Sequence, residues 1–117
     1  MKQYLLSVCY PAGGSPPPPD ALERIMRDVG AIQSDMRAQG VWVFAGGLTD
    51  PSSATVIRAQ GDEIVMMDGP FIESREQIGG VTIVSSPDLD GALAWARRLT
   101  RAIGVPIEVR AFIPGHC

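Results

Sequence analysis

Gln3-Tyr4-Leu5-Leu6-Ser7-Val8-Cys9-Tyr10, residues 3–10, decides the fold. Tyr4, Leu6, Val8 and Tyr10 alternate onto one face, and Leu5, Ser7 and Cys9 fall on the other. Both faces are largely apolar. That pattern marks an inner strand covered on both sides rather than a strand with one face in water.

The chain around it alternates strands and helices. Pro11 to Pro19 holds Gly13-Gly14-Ser15 and four consecutive prolines, which fix φ and lack donors, so it reads as an extended loop. A helix follows over residues 20–39. Asp20 is positioned to cap it and Glu23 to complete a capping box. Leu22, Ile25, Met26, Val29, Ile32 and Met36 form its apolar stripe, and Gly40 stops it. Residues 41–45 read as a strand ended or bulged by Gly46-Gly47. Residues 53–60 and 63–67 read as a hairpin turning at Gly61-Asp62. Residues 80–85 form the next strand. A second helix over 87–103 is capped by Ser86, with Leu89, Leu93, Ala96, Leu99 and Ile103 as its stripe. Residues 107–112 close the sheet.

This order is an α+β, ferredoxin-like βαββαβ plait with an extra hairpin strand, expected as one domain over residues 1–117. Two helices cover only one face of such a sheet. The other face is also apolar, at the strand of residues 3–10 and around Trp42 and Phe44. A homodimer packed sheet to sheet is the economical lid.

Composition bounds the function. The 117 residues carry a net charge of −3, with 45% hydrophobic and 20% charged residues. No Lys/Arg run offers a phosphate-tracking surface, so direct nucleic-acid binding is not expected. No segment has the length to span a bilayer, and no membrane association is expected. Two cysteines, Cys9 and Cys117, make no disulfide framework, and a reduced cytoplasmic protein is the reading. No His/Cys cluster suits a metal, and no Gly-rich phosphate loop suits a nucleotide, so no cofactor is expected.

The chemistry concentrates in residues 66–80, Met66-Met67-Asp68-Gly69-Pro70-Phe71-Ile72-Glu73-Ser74-Arg75-Glu76-Gln77-Ile78-Gly79-Gly80. Asp68 follows an apolar strand, where desolvation would suit it to acid–base work. Arg75 is the candidate anion anchor. Ser74 and Phe71 are further candidate substrate contacts, and Tyr10, Trp42 and Phe71 could line the apolar side, although the core is the commoner place for each. The competing reading is that Asp-Gly-Pro is a turn whose aspartate bonds its own backbone. The single histidine, His116, sits one residue from the C-terminus and offers no body partner.

The run Asp68-Gly69-Pro70-Phe71, with Glu73-Ser74-Arg75-Glu76 and Ile78-Gly79-Gly80, resembles the DGPF family within the wider YCII-related group. Weaker matches run along the chain: Gly47-Leu48, Ala54-Thr55-Val56-Ile57-Arg58, Asp88-Leu89-Asp90 with Ala92, Trp95 and Ala96, and Ile107-Glu108-Val109-Arg110. The resemblance implies a dimeric α+β barrel. It also implies a cleft in which a His–Asp pair is suspected of acid–base catalysis; the enzyme hypothesis is that Asp68 acts on a small polar or aromatic molecule in a cleft near the dimer interface. One relative is associated with dehydrochlorination of an aromatic ring compound. Asp68 matches the acidic member, and no body histidine matches the other. Ser74-Arg75 stands where the family usually has Thr-Lys. The family is also associated with sigma factors, which implies the alternative of a non-catalytic sensing or protein-interaction module.

Overall fold

The computed structural model describes residues 1–11, 13–69 and 76–115. Its elements run β1 (Lys2–Pro11), α1 (Pro19–Ala38), β2 (Trp42–Gly47), β3 (Thr55–Gln60), β4 (Glu63–Asp68), β5 (Glu76–Ser86), α2 (Leu89–Ile103) and β6 (Ile107–Ala111), with a 3-10 turn at Pro51–Ser53. Four strands form one antiparallel sheet in the order β2-β5-β1-β6. This is the ferredoxin-like plait. β3 and β4 pair only with each other, as a separate two-stranded sheet inserted between β2 and β5. The extra element is therefore a whole hairpin standing apart, and not a strand added to the main sheet.

Strand alternation sorts the main sheet into two faces. The register aligns Trp42, Val84 and Tyr4, and aligns Thr82, Leu6 and Val109. These residues face the helices. Tyr4, Leu6 and Val84 are buried there with Ile32 and Met36 of α1 and Ala92, Trp95, Ala96 and Leu99 of α2. The opposite face carries Leu5, Ile83, Phe44 and Arg110 in one row and Ser7, Val81 and Glu108 in the next. Neither helix reaches it. Leu5, Val81 and Ile83 remain partly exposed, and Phe44 is 53% exposed. The expected cover on both faces is thus present on one face of the chain.

The helices depart from the sequence reading at their starts. Helix α1 begins at Pro19, one residue earlier than expected, and Pro18 at its N-cap provides no side-chain bond. Proline's fixed φ suits the first helical position, so Asp20 becomes a first-turn acid facing the positive helix end. In α2 the cap is Asp88 and not Ser86. Asp88 is extended (φ −151°, ψ 173°), and its Oδ1 accepts from the Gly91 N–H at 2.9 Å. The Ser86 hydroxyl instead donates to the Asp88 carbonyl at 2.7 Å. The stripe of α1 is also shorter than expected. Ile32 and Met36 are buried, while Leu22 is 41% and Met26 66% exposed. The core of α1 is its C-terminal half, where it meets α2. Arg98 of α2 bonds Asp35 of α1 at 2.7 Å across that seam.

Candidate small-molecule cleft

One end of the sheet opens into a cleft of about 840 Å³. Its walls are the end of β1 (Tyr10, Pro11), the Pro-rich loop (Ser15 to Pro17), the turn after β2 (Leu48 to Ser52), Gly69, and the start of β5 (Gln77 to Gly79). A volume of this size is that of a small-molecule site, and most of the walls are carbon. Among the described lining residues Asp50 is the only charged one.

A β-bulge shapes the back wall. Val8 pairs with Gly80 and Cys9 with Ile78, so Gly79 has no partner on β1. Its carbonyl turns outward and accepts from the Leu48 N–H at 2.8 Å, which fixes the turn after β2 against β5. The Tyr10 ring lies on the bulge. A Cβ at Gly79 would overlap ring atoms Cδ2 and Cε2 of Tyr10, so this position requires glycine. The strand of residues 80–85 was expected to begin at Gly80. Gly80 lies inside β5, because the bulge lets pairing continue to Glu76.

The front wall is a closed local network. Asp50 caps the 3-10 turn, its Oδ1 accepting from the Ser52 N–H at 2.9 Å. The bonds to Ser52 hold the Asp50 carboxyl below the usual carboxylate range. Ser53 donates from both its N–H and its hydroxyl to the Asp50 carbonyl, at 2.9 and 2.7 Å. Thr49 and Ser53 hydroxyls are bonded at 2.6 Å.

Asp68 ends β4 opposite Thr55 and is exposed. It does not line the cleft. Its neighbour Gly69 does, pinned by an N–H bond to the Ala54 carbonyl at 2.7 Å and packed too close to Ala54 for a side chain. The Asp68 carboxylate has no hydrogen-bond or ion-pair partner among the described residues. Most of the loop that Asp68 was expected to bond, residues 70–75, lies outside the described residues. β4 is not a buried strand: on the single chain Met66 is 68% and Met67 49% exposed. Phe71, Ser74 and Arg75 lie outside the described residues, as does His116. Of the aromatics read as core or cleft wall, Tyr10 borders the cleft, and Trp42 packs against the helix-side core with the Arg37 guanidinium 4.3 Å above its ring.

Asp50, Leu48 and Ile78 were not anticipated as lining residues. Thr49-Asp50-Pro51-Ser52-Ser53 is a capping sequence, and that signal was available. Its apposition to Gly79 was not, since it depends on the bulge.

Cys9 lies beside the bulge. Burial pushes its thiol above the ordinary value, with the charges of Glu108 and Glu76 adding to this and a backbone hydrogen bond from Glu108 opposing it. No helix among the described residues is long and apolar enough to cross a membrane.

Two comparisons bear on this architecture. Residues 4–112 match the YCII-related domain, a span that includes the described cleft and Asp68. Over 80 residues the chain is 36% identical to an uncharacterized protein of Rhizobium meliloti (strain 1021), covering 68% of this chain and 64% of that protein. The chain thus spans less than two thirds of that relative's length. With the plait and the domain match in agreement, the chain belongs to the YCII-related family.

Proposed function

We propose that this is a small-molecule-binding protein of the DGPF branch, acting on a small polar or aromatic molecule held in the cleft, with Asp68 as acid–base group. The observation that carries this reading is the cleft itself. It has a wall built around the Tyr10 ring and the Gly79 bulge, and Asp68 stands one residue from its rim. Phe71, Ser74 and Arg75 are assigned substrate contact because the chain lines the cleft on both sides of them, at Gly69 and at Gln77. A cytoplasmic location, with Cys9 as a free thiol, is part of the proposal.

A thermal-shift screen against a metabolite library tests it. A ligand at a hundredfold excess over its Kd stabilises the native state by about 2.7 kcal/mol. The shift should vanish in Tyr10→Ala. Absence of a shift with every compound would sink the reading. Asp68→Asn then divides two roles. An enzyme retains binding and loses turnover. A non-catalytic module, such as one serving a sigma factor, retains its function, and the exposure of the Asp68 carboxylate supports that alternative.

The homodimer belongs to the same proposal. The uncovered sheet face is apolar at Leu5, Phe44, Val81 and Ile83, with Glu108 and Arg110 at its β6 margin. Their nitrogen–oxygen separation within the chain is 3.9 Å, a weak exposed pair. A two-fold partner would present the same apolar patch in return. Sedimentation of the wild type and Phe44→Glu tests this, the variant being expected to dissociate.

A further inference from the structure

Among the described residues, the β3–β4 hairpin has no substantial packing against any other element. The Cα radius of gyration is 16.3 Å, against about 13 Å for a compact chain near this length. An isolated two-stranded hairpin is marginal in water and needs a third strand or a packed surface. Its register shows what that surface would meet. Ile57 pairs with Met66 and Ala59 with Ile64, and these four share one face with Thr55 and Asp68 at the root. Ile57 is 65% exposed, and Ile64 and Met66 are each 68% exposed. The face is unbroken carbon for most of its length and ends on the Asp68 carboxylate.

We infer that this hairpin is an arm laid on a second copy of the chain, and that Asp68 is enclosed at the resulting seam, so the cleft is completed only in the pair. The inference rests on the homodimer reading above and adds the arm as its second contact. Area argues for it. Side chains of this size each carry roughly 100 Å². The sheet face offers four, three of them already partly covered, which falls well short of the roughly 800 Å² per partner of a standard interface. Ile57, Ile64 and Met66 bring the total much closer. The occupant follows from the chain itself. It bears two open apolar surfaces, the arm face and the sheet face, and its arm does not fold onto its own sheet. A two-fold partner presents both surfaces again, and no other molecule is needed to cover them.

Sedimentation velocity on the full chain across a dilution series reads the first consequence. Wild type is expected to dimerise, and Ile57→Glu/Met66→Glu to raise the dimer Kd by about a hundredfold or more, as hot-spot losses do. Hydrogen exchange of the wild-type arm (residues 55–68) is expected to slow as the dimer forms, a readout that does not depend on a variant folding. Carbodiimide labelling with glycine ethyl ester is expected to fall several-fold at Asp68 in the dimer, with exposed Asp20 as internal reference. If wild type stays monomeric throughout, both the dimer and the arm are overturned, and the arm face is left for a different protein. If Phe44→Glu breaks the dimer while the arm variant, arm exchange and Asp68 labelling are unaffected, the sheet dimer stands and the arm inference fails.

Discussion

The helix-covered sheet face and the β3–β4 arm are built from the same residue types and end in opposite states. Leu6, Val84, Met36 and Leu99 are essentially inaccessible. Ile57, Ile64 and Met66 stand about two thirds in water. Alternation and apolar content are alike in both. What differs is whether an amphipathic helix lies within reach. Helices α1 and α2 connect β1 to β2 and β5 to β6, so both return across the same face of the sheet. The hairpin is inserted between β2 and β5, where no helix follows it. Apolar patterning therefore declares that a surface will be covered, and topology decides whether its own chain does the covering.

The largest effect should separate the two regions. Leu6→Ala removes a fully buried side chain from between β5, β6 and the helices, and should cost 2–5 kcal/mol, as about that much is lost in comparable cores. Ile57→Ala should change monomer stability by no more than about 0.5 kcal/mol. Urea unfolding at dilutions where the chain is monomeric measures both. Equal losses would mean the arm packs on its own protomer, and the contrast would be gone.

The next effect lies at the β1–β5 bulge. A methyl at Gly79 must displace the Tyr10 ring from the bulge. Gly79→Ala should therefore cost about 1–3 kcal/mol, as overpacking does. In a Tyr10→Ala background the same methyl has room, so the double variant should be more stable than the sum of the singles by about 0.5–3 kcal/mol. Strict additivity would remove Tyr10 as the reason for glycine there.

The plait was legible because β1, β5 and both helical stripes carry clean periodicities, and because Pro, Gly and the caps punctuate them. The caps themselves were misplaced by one or two residues. Pro19 starts α1 before Asp20, and Asp88, extended after Pro87, takes the role expected of Ser86. The candidate segment and the cleft meet in part: of residues 66–80, Gly69 and Gln77 to Gly79 line it, and residues 70–75 lie outside the described residues. Asp68 looked desolvated because β4 is apolar, but burial is a tertiary property and no element among the described residues covers the arm. Asp50 escaped notice because its approach to β5 is made by the Leu48–Gly79 bond, which no local pattern encodes.

A smaller effect should appear at Cys9, at the foot of the sheet face proposed to dimerise. Its burial-raised thiol should react with iodoacetamide more slowly than a free cysteine at mildly alkaline pH, since the thiolate is the nucleophile. Dimerisation should slow it again. Reaction at the rate of a model thiol would place Cys9 in water and weaken the case for covering that face.

The smallest effect concerns the cleft's front wall. The Asp50 carboxyl is lowered by its bonds to Ser52, so the folded chain holds this group ionised to lower pH than the unfolded chain does. The linkage sign follows: the unfolded state binds the proton first on acidification. The contribution is present above the unfolded aspartate value and is lost as pH falls through the lower folded one. Asp50→Asn keeps an accepting oxygen for the Ser52 N–H but cannot titrate. Its stability should therefore fall less steeply than wild type over that acid interval, and match it closely at neutral pH. The arm has no such cap within reach of Asp50, so Ile57→Ala should leave the acid limb unchanged. If Asp50→Asn and wild type lose stability in parallel on acidification, the Asp50–Ser52 bond does not hold the turn in solution, and the cleft's front wall is less ordered than its back.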